Sequence, residues 1–241
     1  MADATPASKS VTGADLPEDF DDELDDDLDL DDVDADPDFL EPPPLAWRRR
    51  TAIEMAISGL FGLLASFVLS IDAVKLAADP NANLACSINS VINCATVAKA
   101  PQAHLLGEFF PNAFLGIAAE AVVITIAVAM IGGVTFPRWF MLSAQTIYTL
   151  GFLFAWWLFF EAYFVIKALC PWCLLITVTT TLVWAGLTRV NIRDRYIDFP
   201  GKLGVSARRF VAHGNDWFVT LAVIVLLAAA VMLKYGSSLL G

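Results

Sequence analysis

The residues able to do covalent chemistry in this chain are four cysteines arranged as two pairs. Cys170-Pro171-Trp172-Cys173 opens a long apolar run. Two thiols in the first turn of a membrane helix lie beside unpaired backbone N–H groups, which stabilise a thiolate. Such a pair suits thiol–disulfide exchange. Cys86 and Cys94 enclose seven residues in a polar stretch that also holds Asn81, Asn83, Asn89 and Asn93. A loop of that kind can bend and present either sulfur to a partner in water. A mobile pair beside a fixed pair suggests a relay, in which electrons from an outside dithiol enter the loop disulfide, pass to the helix pair and leave to a membrane acceptor. No nucleotide site is visible, and a lipid-soluble quinone fits the position. Cys173 lies one turn deeper than Cys170, so it is expected to face the quinone while Cys170 exchanges with the loop. Two other uses of four cysteines stay open at this point: a structural zinc site and a pair of structural disulfides.

The elements that position these pairs follow from hydropathy. The chain is 57% hydrophobic and 17% charged, a membrane-protein balance. Its net charge of −11 is split unevenly, because residues 1–41 hold seventeen acids and one base while the remainder is net basic. That acidic stretch is too poor in large apolar groups to offset the entropy of ordering, and it reads as a disordered tail. It lacks the basic region, short apolar core and cleavage site of a secretory signal.

Five apolar stretches follow, near Ile53–Ile71, Ala113–Val134, Trp139–Phe160, Cys170–Leu187 and Trp217–Leu233. Each approaches the roughly 17–25 residues a helix needs to cross a bilayer. With the N-terminus in the cytoplasm, ten Lys and Arg residues flank the spans inside, Arg48, Arg49 and Arg50 among them, and four lie outside. This is the favoured orientation. It sets loop 72–112 and the connection into Cys170 on one outer face, where disulfides persist. The inner stretch 188–216 reads as a basic loop that serves topology. His104 and His213 fall on opposite sides, which disfavours a histidine metal site, and no nucleic-acid motif is present.

In this order the motifs resemble the vitamin K epoxide reductase family, in its bacterial disulfide-forming branch. The resemblance runs from about Ile53 to Leu187. It rests on the Cys86/Cys94 spacing, on Asn112-Ala113-Phe114-Leu115-Gly116, on Ala155-Trp156-Trp157-Leu158-Phe159-Phe160 and on Cys170-Pro171-Trp172-Cys173. It implies a four-helix bundle around a quinone (menaquinone or ubiquinone), with a thioredoxin-like protein as electron donor. By position it makes Cys94 the sulfur attacked by that donor, Cys86 the shuttle to Cys170, Cys173 the sulfur beside the quinone and Asn112 the quinone's hydrogen-bond donor. Ala100 stands where the family often has Ser or Thr to cap the loop over the quinone. Thr177 stands where animal enzymes have Tyr, which speaks against vitamin K epoxide as substrate.

Some relatives carry a thioredoxin-like domain after a fifth span. This chain stops shortly after it, so a separate partner protein is expected. Glu120 shares a helix face with Asn112 and Gly116, and an acid inside a span is a candidate proton relay for quinone reduction.

The expected protein is therefore an all-α membrane protein, a four-helix transmembrane bundle plus a fifth helix. Its parts are a disordered acidic cytoplasmic tail (1–44), a catalytic bundle (45–190) and a basic cytoplasmic loop with the fifth helix (191–241). The expected activity is a thiol:quinone oxidoreductase of the plasma membrane that re-oxidises an extracytoplasmic thioredoxin-like protein. The alternatives are a vitamin K epoxide or quinone reductase, and a metal-binding or redox-sensing membrane protein without turnover.

Overall fold

The computed structural model describes residues 44–104, 107 and 110–240, so the acidic segment up to residue 43 lies outside it. The described chain is helical: α1 (Leu45–Ala78), α2 (Cys94–Ala98), α3 (Asn112–Ile131), α4 (Arg138–Phe160), α5 (Pro171–Arg193), α6 (Lys202–Ala212) and α7 (Asn215–Leu240). Of these, α1, α3, α4, α5 and α7 are long and apolar enough to cross a membrane, and each overlaps one of the five expected stretches, α3 ending at Ile131 short of Val134 and α5 starting at Pro171 after Cys170.

Helix α1 is longer than its apolar stretch. Its 34 residues rise about 50 Å at ~1.5 Å each, against a hydrocarbon core of about 30 Å. Both ends therefore stand clear of the lipid, with Arg48, Arg49 and Arg50 at one and Asp72 and Lys75 at the other. Helix α4 does not stop at Phe160 but widens into a π-helical turn, Glu161–Ile166, which ends at Lys167 in the left-handed region (φ 56°). The inner stretch read as a loop contains α6. Its Leu203 and Phe210 lie on one face, Lys202 and Arg209 on another, and the segment is too short to register as an apolar run.

Helix α1 packs on α3 and α5, and α4 covers the other side of α5. Small residues set the approach, as is usual where lipid removes the hydrophobic drive between helices. A Cβ on Gly116 would collide with the Ser66 side chain, one on Gly62 with the Glu120 carboxyl and one on Gly186 with Met55. The inner half of the bundle is closed by Met55, Ala127, Met141, Val183, Leu187 and Val190.

Several polar side chains within the bundle pair with one another, since an unpaired one in hydrocarbon is costly. Asn191 Nδ2 donates to Gln145 Oε1 (2.8 Å), Gln145 Nε2 to Thr188 Oγ1 (3.0 Å) and Trp184 Nε1 to Thr149 Oγ1 (3.0 Å).

Helix α7 is held at both ends. At the inner end Arg189 of α5 pairs with Glu54 of α1 (3.0 Å) and with Asp216 of α7, under the Trp217 ring. At the outer end Tyr235 Oη donates to the Tyr163 carbonyl (2.8 Å) and Tyr163 Oη donates to the Ala230 carbonyl (3.0 Å). Leu227 and Val231 pack there on Phe159 and Leu169. The fifth helix thus packs on the bundle and braces the π turn that leads into Cys170.

Arg189 is the shared cation of two carboxylates in a buried setting. Replacing it by Ala strands both, and should cost about 3–5 kcal/mol. Arg208→Ala breaks a pair whose Asp198 is largely exposed and should cost under about 1 kcal/mol. Thermal unfolding of the two variants in detergent checks the contrast.

Candidate functional site

The site forms where the loop after α1 meets the start of α5. Cys170 is the N-cap residue of α5 with Pro171 at N1, and its sulfur accepts the Cys173 backbone N–H (3.4 Å). Just before it, Leu169 runs parallel to the loop: its N–H donates to the Val91 carbonyl (2.7 Å) and its carbonyl accepts the Asn93 N–H (3.0 Å). Asn93 in turn caps α2 through Thr96 N (3.0 Å) and accepts from Ser87 Oγ (3.2 Å). Cys94, the first residue of α2, is thereby fixed above Cys170.

All four cysteines come together. Cys86 and Cys94 form a disulfide, and Cys170 and Cys173 are free thiols. Cys94 Sγ lies 3.3 Å from Cys170 Sγ. With the loop disulfide closed, Cys94 sits against Cys170, whereas the resemblance implies Cys86 as the shuttle to Cys170. The freely presented loop is also not what is observed: Cys94 and Cys170 are each 1% exposed, and Cys86 is 8% exposed beneath a loop whose Ile88 is 71% exposed. Of the two loop sulfurs Cys86 is the less buried.

Beneath the sulfurs the bundle encloses a cavity of about 730 Å³ between α1, α3, α4 and α5. Cys173, one turn below Cys170, lines it together with Leu174, Thr177, Ala155, Asn112 and Glu120. The wall is overwhelmingly apolar, with a few polar side chains pointing in, the chemistry of a site for an apolar ring bearing polar oxygens.

Asn112 is the first residue of α3 and does not cap it, since Pro111 holds the N-cap position. Its Nδ2 donates to the Gln102 carbonyl (2.7 Å), and Gln102 Nε2 donates to Glu161 Oε2 (3.1 Å). These bonds tie the Pro101–Ala103 turn across the cavity mouth and link it to the π turn of α4. Ala100 contributes no side-chain bond to this closure; Gln102 does the work that a Ser or Thr would be expected to do. Thr177 Oγ1 donates to the Cys173 carbonyl (3.0 Å).

Glu120 is 3% exposed and accepts from Tyr148 Oη at 3.1 Å. Its other oxygen is buried with no hydrogen-bond partner among the described residues. Both residues line the cavity.

Three contributors were not singled out from sequence. Tyr148, the partner of Glu120, is a polar group in a span, a signal that could have been read. Tyr163 acts through contacts with α7 that are distant in sequence and leave no local sign. Asp72, whose Oδ2 lies 3.7 Å from Cys86 Sγ, sits just past the expected end of the first span.

Cys170 is set up as the reactive thiol of its pair. The hydrogen bond from the Cys173 thiol, helped by the Cys173 and Trp172 backbone N–H groups, holds it below the ordinary thiol range although burial acts the other way.

Residues 53–187 match the model of the vitamin K epoxide reductase family. A search of curated proteins found no match.

Cys173→Ala removes the leading donor to Cys170 and leaves it the sole free thiol while the loop disulfide is closed. Its ionisation should then move to higher pH than in the wild type, toward the ordinary thiol value. A titration of thiolate ultraviolet absorbance reads the shift, and an unchanged midpoint would contradict the hydrogen-bond account.

Proposed function

The chain belongs to the vitamin K epoxide reductase family, since the match spans more than half of its 241 residues, and on that premise we propose that it is a thiol:quinone oxidoreductase that re-oxidises a thioredoxin-like protein outside the membrane. The coarser statement, a multi-pass membrane thiol oxidoreductase, follows from the family, the spans and the disulfide. The observation that carries the finer reading is the Cys94–Cys170 sulfur contact at 3.3 Å, directly above an apolar cavity lined by Cys173.

The exchange order that this contact supports runs from Cys86 to Cys94 to Cys170 to Cys173. An outside dithiol attacks Cys86, and Cys94 leaves with the electron pair. The donor's second sulfur closes the donor's own disulfide and frees Cys86. Cys94 then attacks Cys170 of an oxidised helix pair, which releases Cys173 at the cavity wall. Cys86 attacks Cys94 in turn, so the loop disulfide reforms and Cys170 is freed. Two electrons have then moved from the donor to the helix pair. A bound quinone supplies a two-electron, two-proton acceptor at that wall.

Asn112 holds the turn over the cavity and would present its amide to a quinone oxygen. Glu120, with one oxygen unpartnered among the described residues and the other on Tyr148, would hold and pass a proton. With the N-terminus in the cytoplasm, the positive-inside distribution puts the cysteines outside the plasma membrane. The donor is then an extracytoplasmic protein, and new disulfides in exported proteins are the output.

The test is anaerobic mixing of pre-reduced protein with a soluble quinone analogue while quinone absorbance is followed. Cys173→Ala should abolish quinone reduction. Cys86→Ala should keep a single turnover, because Cys86 lies upstream of the helix pair. A wild type that reduces no quinone would overturn the assignment of the acceptor.

For Glu120, substitution by Gln keeps the shape and removes the ionisable proton. Steady-state turnover should fall on the order of a hundredfold, and undiminished turnover would remove Glu120 from the proton path.

A further inference from the structure

Asp72 is the one acid of α1 at the sulfur end of the bundle, and nothing in the exchange just described accounts for it. It is 7% exposed. Its Oδ2 lies 3.7 Å from Cys86 Sγ, within contact distance for sulfur. Around that sulfur the surroundings are apolar: Leu76, Leu84, Cys94 and Cys170 are buried in one cluster with Cys86, and Leu69 and Trp172 pack against it. No Lys or Arg nitrogen lies within 4 Å of the Asp72 carboxylate among the described residues. A buried carboxyl with no cation in contact is expensive to keep, and such groups concentrate where protons are handled.

We propose that Asp72 is the acid–base catalyst for the sulfur exchanges at Cys86. This role rests on the exchange reading above and adds the proton route that it lacks. When the donor's second sulfur closes on its first, the mixed disulfide breaks and the electron pair leaves on Cys86. Protonated Asp72 gives that sulfur its proton and becomes a carboxylate. Later, with Cys94 bonded to Cys170, the Cys86 thiol must lose a proton before it can bond to Cys94 and expel Cys170 with its electron pair. The Asp72 carboxylate takes that proton and returns to its starting state. The two electrons come from the donor dithiol and leave to the membrane acceptor, so no further co-reactant is needed.

The geometry distinguishes Asp72 from a bystander in two respects. It touches the sulfur that faces the outside donor, the only one of the four to change partners with a molecule from water. It also touches that sulfur alone, leaving Cys170 to the backbone N–H groups of its own helix. The groups that face Asp72 are Lys75 on its own helix, Cys86 from the loop and Cys170 from the start of α5.

The experiment uses full-length protein in detergent and reads two steps separately. In the first, the Cys86–Cys94 disulfide is reduced with dithiothreitol and quenched in acid, and the thiols are counted by alkylation and mass. In the second, fully reduced protein is mixed with a soluble quinone analogue for one turnover. Asp72→Asn should slow the first step on the order of a hundredfold near neutral pH, with the deficit closing as pH rises and Cys86 needs no acid to leave. The second step should be unchanged, since the helix pair alone performs it.

An Asp72→Asn variant that exchanges at the wild-type rate overturns the proposal. So does one that is equally slow at every pH, because that marks a structural loss. Should the Asn variant fail to fold, Asp72→Glu and Asp72→Ser carry the test. Exchange kept in Glu and lost in Ser supports the role, and fast exchange in Ser overturns it. The dithiothreitol step needs no quinone, so a wild type that reduces no quinone sinks the acceptor while the test of Asp72 still stands.

Discussion

The whole site depends on two backbone hydrogen bonds, Leu169 N–H to Val91 O and Asn93 N–H to Leu169 O. They are the shortest link between the loop that carries one cysteine pair and the helix that carries the other. Disulfide exchange needs the attacking sulfur close to and in line with the bond it breaks, and side chains on separate flexible segments would seldom meet that condition. A bridge of two main-chain bonds removes most of that freedom. Because Cys94 and Cys170 each follow directly on a bridged residue, fixing the backbone also fixes these two sulfurs. The Asn93 cap of α2 and the Cys170 cap of α5 extend the same logic, since Cys94 opens one helix and Cys170 caps the other.

The bridge is itself supported from a distance. Leu169 packs against Phe159, Leu227 and Val231, so helix α7 stands behind the residue that holds the loop. The π turn of α4 is the other support. It gives Tyr163 an open carbonyl that accepts from Tyr235 and sets Glu161 where it meets Gln102. A regular α-helix through Glu161–Ile166 would spend its carbonyls in its own ladder and aim these side chains elsewhere. Such wide turns are uncommon in helices and tend to sit at functional places. Here it couples the fifth helix, the cavity mouth and the approach to Cys170.

Much of the fold was legible in the sequence because each span announces itself by length and hydropathy. The placement of all four cysteines at one end of the bundle also followed, from the count of spans and from the apolar run behind Cys170. The partner of Cys170 did not follow. Whether Cys94 or Cys86 meets it depends on the pairing of residues 91–93 with 169, a contact between distant segments that no local pattern encodes. Asp72 was missed for a different reason. A hydropathy boundary is drawn at the first charge, so the last turns of α1 were assigned to the loop, and an acid in a loop draws no notice. Helix α6 escaped because its amphipathic turns are brief and its charges look like topology signals. Asn112 was reached through resemblance alone, for an asparagine before an apolar run reads equally well as a helix cap.

The proposed sulfur and quinone chemistry moves protons as well as electrons, and buried sites offer little water to carry them. The bundle answers with two buried carboxyls at different depths. Asp72 touches Cys86, and Glu120 lines the cavity beneath Cys173. Between them, Cys94 leaves as a thiolate and attacks Cys170 directly, a step that needs no proton carrier. Proton handling is then required only where the chain of sulfurs begins and where it ends. The two acids stand at those two places, and each is an expense in stability that packing alone gives no reason to keep. An apolar residue at either position would pack at less cost, and the proposed proton roles at the two ends of the relay account for both acids.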